Sequence, residues 1–176
     1  RGTSGLINAN KVQDVDAAAC VVLNGTNLTL TNNFLATKIG LGVQKGIVVN
    51  SPYDTVAFNS IEIKSIDPEN GVALEINNGL QQVIKNNILS NSGGGFPLVV
   101  NASLDGTTFD FNNYYSSSER ISRLNGFDYY NFDSWRTQNN TEPNGNNLNP
   151  IYADQNELRP YQRQLNGDRK STRLNS

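Results

Sequence analysis

The segment Gln82-Val-Ile-Lys-Asn-Asn-Ile-Leu89 recurs in related form three more times along this 176-residue chain. Each copy has apolar residues, then one or two asparagines, then further apolar residues. When the copies are aligned on one asparagine each, they repeat every 26 or 27 residues, and a fixed period of this size is typical of solenoids. The other copies are 28–35, 55–62 and 108–115, and the aligned asparagines are Asn32, Asn59, Asn86 and Asn112.

A second series of asparagines keeps step with the first. In each coil a short apolar run ends in an asparagine, at spacings of 26, 27 and 24 residues. Asn10 is a candidate for an earlier, shorter coil. The runs are 20–24, 46–50, 73–77 and 97–101, and they end at Asn24, Asn50, Asn77 and Asn101.

Each repeat contains three short strand-like runs, for example 47–49, 55–58 and 61–65. Stacked coils place equivalent residues about 4.8 Å apart, so asparagine side chains can hydrogen bond from one coil to the next. A chance match of asparagines is disfavoured because the neighbouring apolar positions match as well. The pattern predicts an all-β chain, a right-handed parallel β-helix with three sheets and about four to five coils, in which both asparagine series are structural ladders.

A three-sided coil with an asparagine ladder resembles the pectate-lyase-like superfamily of right-handed parallel β-helices, over residues of about 5 to 118. The resemblance implies that Asn32, Asn59, Asn86 and Asn112 form the tight turn between the second and third sheets. It implies that the runs at 20–23, 46–49, 72–76 and 97–100 belong to the first sheet.

The C-terminal part resembles the closing segment of secreted β-helix proteins, especially surface proteins of the Bacteroidetes. It contains a Tyr-x-x-Phe-x-x-Trp stretch at 129–135 and an Asn-x-x-x-Pro-x-Tyr loop at 146–152. An open end of a coil stack would recruit another chain, so we interpret residues 119–167 as a cap that follows the coils of residues 1–118. A sugar-stacking platform made of Trp135, Tyr129 and Tyr130 is the alternative.

The last nine residues, 168–176, resemble the translation of a sequencing adapter, since GAT CGG AAG AGC encodes Asp168-Arg-Lys-Ser171. We therefore expect a non-native tail, with both ends of the chain set by the read and the coils truncated at the N-terminus. The chain carries 14 Lys and Arg against 16 Asp and Glu, and removal of the tail, with three bases and one acid, leaves a net charge of −4. This balance and the lack of long apolar runs argue against nucleic-acid binding and membrane insertion.

The chemistry of the resembled family lies on the outer face of the first sheet, where carboxylates bind Ca²⁺ and an Arg or Lys acts as base. Strand alternation sends Val22, Val48, Glu75 and Val99 to that face. One glutamate among three valines is a weak catalytic candidate. The valines instead indicate a covered face, either under the C-terminal aromatic segment or against a partner.

The third sheet offers a second weak candidate, because Glu62 and Lys64 share one face of a strand. Leu35, Leu89 and Tyr115 are expected at the position of Glu62 in other coils, and Thr37, Asn91 and Ser117 at the position of Lys64. An acid and a base two residues apart can be catalytic, but a solvated ion pair is the commoner outcome.

Calcium is implied only by the family resemblance. The turn at 67–71 contains Asp67 and Glu69, whose oxygens are weak candidate ligands, and its Pro, Asn and Gly already suit a plain turn. The absence of His and the single Cys exclude the usual zinc and His-based triad chemistries within this chain, and no other cofactor is evident.

Two functions follow from these observations. The first is a secreted or cell-surface β-helix protein, monomeric and non-catalytic in this part, that binds or presents itself to a polysaccharide or glycan. The second is the C-terminal part of a polysaccharide lyase or glycoside hydrolase whose catalytic coils lie upstream.

Overall fold

The computed structural model describes residues 4–154, 157–161 and 165. The adapter-like tail at 168–176 lies outside the described residues. Three sheets, each contributing one strand per coil, wind the chain into an all-β solenoid of about five turns, which confirms the predicted parallel β-helix class.

Each sheet is parallel through the coils. The first sheet consists of β3 (Ala19–Leu23), β6 (Gln44–Val49), β9 (Gly71–Ile76), β12 (Phe96–Val100), β15 (Ser122–Leu124) and, antiparallel to β15, β16 (Phe127–Tyr129). The second consists of β1 (Gly5–Asn8), β4 (Leu28–Thr31), β7 (Thr55–Ala57), β10 (Val83–Lys85) and β13 (Thr108–Asp110). The third consists of β2 (Lys11–Val15), β5 (Phe34–Thr37), β8 (Ser60–Ile63), β11 (Ile88–Asn91) and β14 (Asn113–Ser116).

The core is a set of apolar columns, because residues paired in register belong to neighbouring coils and point the same way. In the second sheet the inward column is fully buried from Leu30 through Val56 to Ile84. The runs that the sequence assigned to the first sheet all lie in it. The inward columns of the other two sheets contain Leu35, Ile61, Leu89 and Tyr114, and Ile47, Leu74 and Leu98.

The buried asparagine ladder, here called the inner ladder, runs through Asn10, Asn33, Asn59, Asn87 and Asn112. Each Nδ2 donates to the Oδ1 of the next member at 2.9–3.0 Å, and each backbone N–H donates to the same oxygen at 2.9–3.0 Å. Except for Asn10, all members are at most 1% exposed. The ladder lies at the turn between the second and third sheets, as the family resemblance implied.

Two predicted members of this ladder, Asn32 and Asn86, are wrong by one residue. Both adopt a left-handed conformation, with φ of 57° and 56°, and the residue after each enters the ladder. Phe58 has the same conformation before Asn59. Asparagine tolerates this region well, so a doubled asparagine fills both the strained turn position and the ladder position.

The same error of one residue also inverts the predicted orientation of four side chains on the third sheet. Leu35 and Leu89 were expected to face outward, and they are core residues that are 1% and 0% exposed. Thr37 and Asn91, expected outward two residues later, are fully buried. A shift of one residue moves every side chain of a strand to the opposite face.

The second predicted series, here called the outer ladder, is confirmed at all four positions. The Nδ2 of Asn50 donates to Asn24, that of Asn77 to Asn50 and that of Asn101 to Asn77, at 2.8–2.9 Å. These side chains are exposed, in contrast to the inner ladder. The donors of the outer ladder point toward the N-terminal end of the stack, whereas those of the inner ladder point toward the C-terminal end.

Glu142 terminates the inner ladder. Its carboxylate accepts from the backbone N–H of Asn112 at 3.2 Å, from Asn112 Nδ2 at 2.5 Å and from the Tyr114 hydroxyl. At this end of the ladder the N–H and Nδ2 groups of Asn112 need acceptors, and no further asparagine follows that would need a donor. A carboxylate supplies acceptors only. Glu142 is completely buried, and this burial raises the pKa of its carboxyl group from 4.5 to about 7.

The end of the coil stack is covered by β16 and helix α1 (Phe132–Gln138). Asn131 caps the helix by accepting from the Ser134 N–H at 2.9 Å. Trp135 is fully buried, with the Phe109 and Tyr129 rings edge-on at 6.2 and 5.3 Å. The aromatic segment therefore contacts the end of the core, and β15 continues the first sheet beyond residue 118.

Candidate functional site

A C-terminal hairpin creates two pockets on the third sheet. It consists of β17 (Tyr152–Asp154) and the antiparallel β18 (Glu157–Pro160). Leu158 of β18 is 1% exposed and lines both pockets, which have volumes of about 360 and 510 Å³. We call the two pockets together the hairpin cleft.

The segment before the hairpin is fixed to the last coil by hydrogen bonds with β14. Asn113 donates to the Leu148 carbonyl at 2.9 Å and accepts from the Leu148 N–H at 2.8 Å. Asn149 donates to the Tyr115 hydroxyl at 3.1 Å. The cleft thus depends on residues more than 30 positions apart in the chain.

The smaller pocket contains Glu62 and Lys64, the acid and base that the sequence placed on one face. Glu62 is only 4% exposed, so it is not a solvated ion pair but a carboxyl group at the floor of a cleft. Burial raises its pKa, while hydrogen bonding from Ser92 and the positive charge of Lys64 partly offset this effect. The hydroxyl of Tyr152 is buried nearby, and burial together with the Glu62 charge raises the pKa of that phenol well above 10.

The larger pocket is lined by two partly exposed aromatic rings and two basic residues. Phe34 is 38% exposed and Phe58 is 59% exposed, and they lie on neighbouring coils beside the inner ladder. Lys11 and Arg159 contribute the basic groups. The sequence did not identify these rings as a site, although Phe58 occupies a turn position where two other coils have asparagine.

Glu75, the other catalytic candidate, forms an ion pair on the outer face of the first sheet. Its carboxylate lies 2.5 Å from Lys45 Nζ and accepts from Asn77 Nδ2 at 3.1 Å. Val48 and Val99 are 8% and 7% exposed on the same face, while Val22 is 47% exposed. Contrary to the expectation that the aromatic segment covers this face, its buried rings Tyr129, Phe132 and Trp135 belong to the main core, whereas Val99 packs with Val72 and Phe96 in a separate cluster.

Asp67 and Glu69, the candidate calcium ligands, are held by donors of the protein itself. Asp67 accepts from Asn70 Nδ2 at 2.9 Å and from two backbone N–H groups of its own turn, which lowers its pKa. Glu69 lies 2.9 Å from Arg120 and 3.0 Å from Arg123, and the hydrogen bond from Arg123 lowers its pKa. Two guanidinium groups at this position oppose the binding of a cation.

Two of the three aromatic residues considered as a sugar-stacking platform are buried. Trp135 is 0% and Tyr129 is 8% exposed, so their faces are not accessible to a ligand. Tyr130 remains 57% exposed, with its hydroxyl 3.3 Å from Asp128. Of the two interpretations of this cluster, the packing agrees with capping.

Among the described residues, no group of three or more His, Cys, Asp or Glu side chains is arranged to hold a metal ion. Within the same residues, no helix has the length and hydropathy of a membrane span. Comparisons of the chain with models of protein families, with curated proteins and with solved structures find no match. The geometry of the hairpin cleft is therefore the basis for assigning a function.

Proposed function

We propose that this β-helix binds a polysaccharide in the hairpin cleft, as a non-catalytic part of an extracellular or cell-surface protein. The observation that carries the proposal is the pair of adjoining pockets, which combine exposed aromatic rings with a buried carboxyl group. Their volumes fall within the range of about 300–1,000 Å³ that is usual for ligand sites.

The two pockets offer the two kinds of contact that a sugar chain needs. Phe34 and Phe58 present apolar faces against which the C–H side of a pyranose ring can pack. Glu62, Lys64 and Ser92 provide an acceptor, a cation and a hydroxyl for sugar hydroxyl groups. Leu158 lines both pockets, so we expect consecutive sugar units to occupy the two pockets in turn.

Replacing Phe58 with asparagine is expected to weaken glycan binding about tenfold, which corresponds to about 1.4 kcal/mol. Asparagine is the residue that two other coils carry at this left-handed turn position, so the backbone is expected to remain unchanged. Isothermal titration calorimetry against pectin, alginate and host-type glycans, with and without Ca²⁺, measures the effect.

The chain supplies a matched control in Phe111. It occupies the same turn position in another coil, with φ of 58°, is 53% exposed and does not line either pocket. Phe111→Asn should leave affinity unchanged. Equal losses in both variants, or no binding to any glycan of the panel, would contradict the proposal.

Cleavage of the bound polysaccharide is the second candidate function, and the raised pKa of Glu62 beside Lys64 and Tyr152 favours it. A carboxyl group whose pKa is raised by burial is suited to act as a general acid. If the cleft is catalytic, Glu62→Gln abolishes the appearance of new reducing ends or unsaturated products and leaves binding within about threefold. Binding without any product in the unmodified protein would exclude this candidate and retain the first.

A further inference from the structure

The N-terminal face of the solenoid, formed by the free edges of β1, β2 and β3, has the chemistry of an interface. Each of the three strands pairs with a neighbour on one side only within the described part of the chain. Unpaired strand edges are usually protected by charges, prolines or bulges. β2 is irregular and carries Lys11 and Asp14, but β1 and β3 contain no charged residue.

The inward-facing columns of apolar residues that form the core end at this face. Ile7 continues the column of Leu30, Val56 and Ile84, which are fully buried, and is itself 36% exposed. Val12 and Val21 continue the inward columns of the third and first sheets and are only partly buried. The three sides of the coil therefore present apolar groups that further packing would bury.

The two ladders specify the orientation of whatever packs there. The donors of Asn10 are used within the structure, and its Oδ1 receives no hydrogen bond from the described residues. Asn24 has the opposite arrangement, because its Oδ1 accepts from Asn50 and its Nδ2 has no acceptor among those residues. The face thus offers an acceptor at the inner turn and a donor at the outer turn.

We propose that this face receives a further parallel β-helical coil, stacked in register with its strands in the same direction and with an asparagine at both turns. Such a coil donates to Asn10 Oδ1 and accepts from Asn24 Nδ2. These are the same hydrogen bonds that join successive asparagines along the rest of each ladder. A second copy placed head to head, with its inner turn over Asn10, sets acceptor against acceptor. The C-terminal end of another copy is occupied by Glu142 and Trp135.

The test adds one coil to the full chain. A copy of residues 28–53 is placed directly before Gly5. Leu6 and Thr55 both align with Thr29, so Gly5 then follows the copied coil in the way that Asp54 follows residue 53. The melting temperature is expected to rise by about 5 °C or more, because a solenoid gains one interface per added coil. The amides of Leu6 and Asn8 point away from β4, because the equivalent Val83 donates to the preceding coil and the N–H groups of a parallel strand alternate, so these two amides should exchange with solvent roughly a hundredfold more slowly.

Two controls make the result decisive. In a matched extension the copied coil carries Asn33→Ala and Asn50→Ala, and at least half of the gain in melting temperature should be lost. The unmodified chain should sediment as a monomer in which the Leu6 and Asn8 amides exchange rapidly. An extension that changes neither melting temperature nor exchange overturns the proposal, and so does a stable dimer of the unmodified chain in which the Leu6 and Asn8 amides are protected.

Discussion

Replacing Asn59 with alanine is expected to lower the free energy of unfolding by about 4 kcal/mol, since it orphans two or three buried polar groups at about 1–3 kcal/mol each. The Oδ1 of Asn59 accepts from the backbone and side chain of Asn33, and its Nδ2 donates to the Leu30 carbonyl and to Asn87. All of these groups are shielded from solvent, so water cannot replace the lost bonds. The variant should melt about 10 °C below the unmodified chain.

The outer ladder provides the comparison for this experiment. Asn50→Ala removes two bonds of the same geometry, to Asn24 and Asn77, but these amides are exposed and water replaces the partner. Its cost should remain below about 1 kcal/mol. Urea unfolding followed by circular dichroism measures both variants, and similar costs would contradict the distinction drawn between the two ladders.

Stability is also expected to depend on pH through Glu142. The folded-state pKa of about 7 lies above its ordinary value of 4.5 because the carboxyl group is buried, so the native state binds the proton more tightly than the unfolded chain. The stabilising contribution of the protonated group is complete below about pH 4.5 and is lost as the pH rises through 7. A shift of this size corresponds to a decrease on the order of 3 kcal/mol.

Glu142→Gln should remove most of this slope. With its amide oxygen at the Oε1 position, glutamine retains the acceptor that Asn112 Nδ2 and the Tyr114 hydroxyl share, and it loses only the bond from the Asn112 backbone N–H. Asp110 is the other acid that raises the Glu142 pKa, and Asp110→Asn should reduce the slope only slightly. Urea titrations from pH 4 to 8 test this prediction, and an unchanged slope in Glu142→Gln would assign the pH dependence to another group, with Glu62 the first candidate because burial raises its pKa as well.

The sequence predicts the solenoid, its three sheets and the outer ladder, because these follow from a repeat whose apolar and asparagine positions vary together. It places the inner ladder wrongly at Asn32 and Asn86. Each of these is the first of two adjacent asparagines, and choosing the first gives a more regular distance between repeats than choosing the second. The actual ladder is spaced by 23, 26, 28 and 25 residues, since the turns differ in length. Both alignments place apolar residues two positions after the asparagine, so hydrophobicity does not distinguish them.

The candidate site is less accessible to sequence reasoning. Glu62 and Lys64 are visible as an acid and a base on one strand, but their burial depends on a hairpin about 90 residues later in the chain. Nothing in the local sequence of Glu142 marks it as the end of a ladder whose previous member is Asn112. Such contacts between distant residues depend on how the chain returns over the third sheet, which periodicity does not encode.

The opposite directions of the two ladders have an electrostatic consequence. Hydrogen-bonded amides in a column align their dipoles, as peptide groups do along an α-helix, and polarise one another. The positive end of the inner column lies at the C-terminal cap, where the acidic group of Glu142 complements it, and the positive end of the outer column lies at Asn24. The two dipoles oppose each other, and each additional coil lengthens both by one amide, so this solenoid can grow without accumulating charge at its ends.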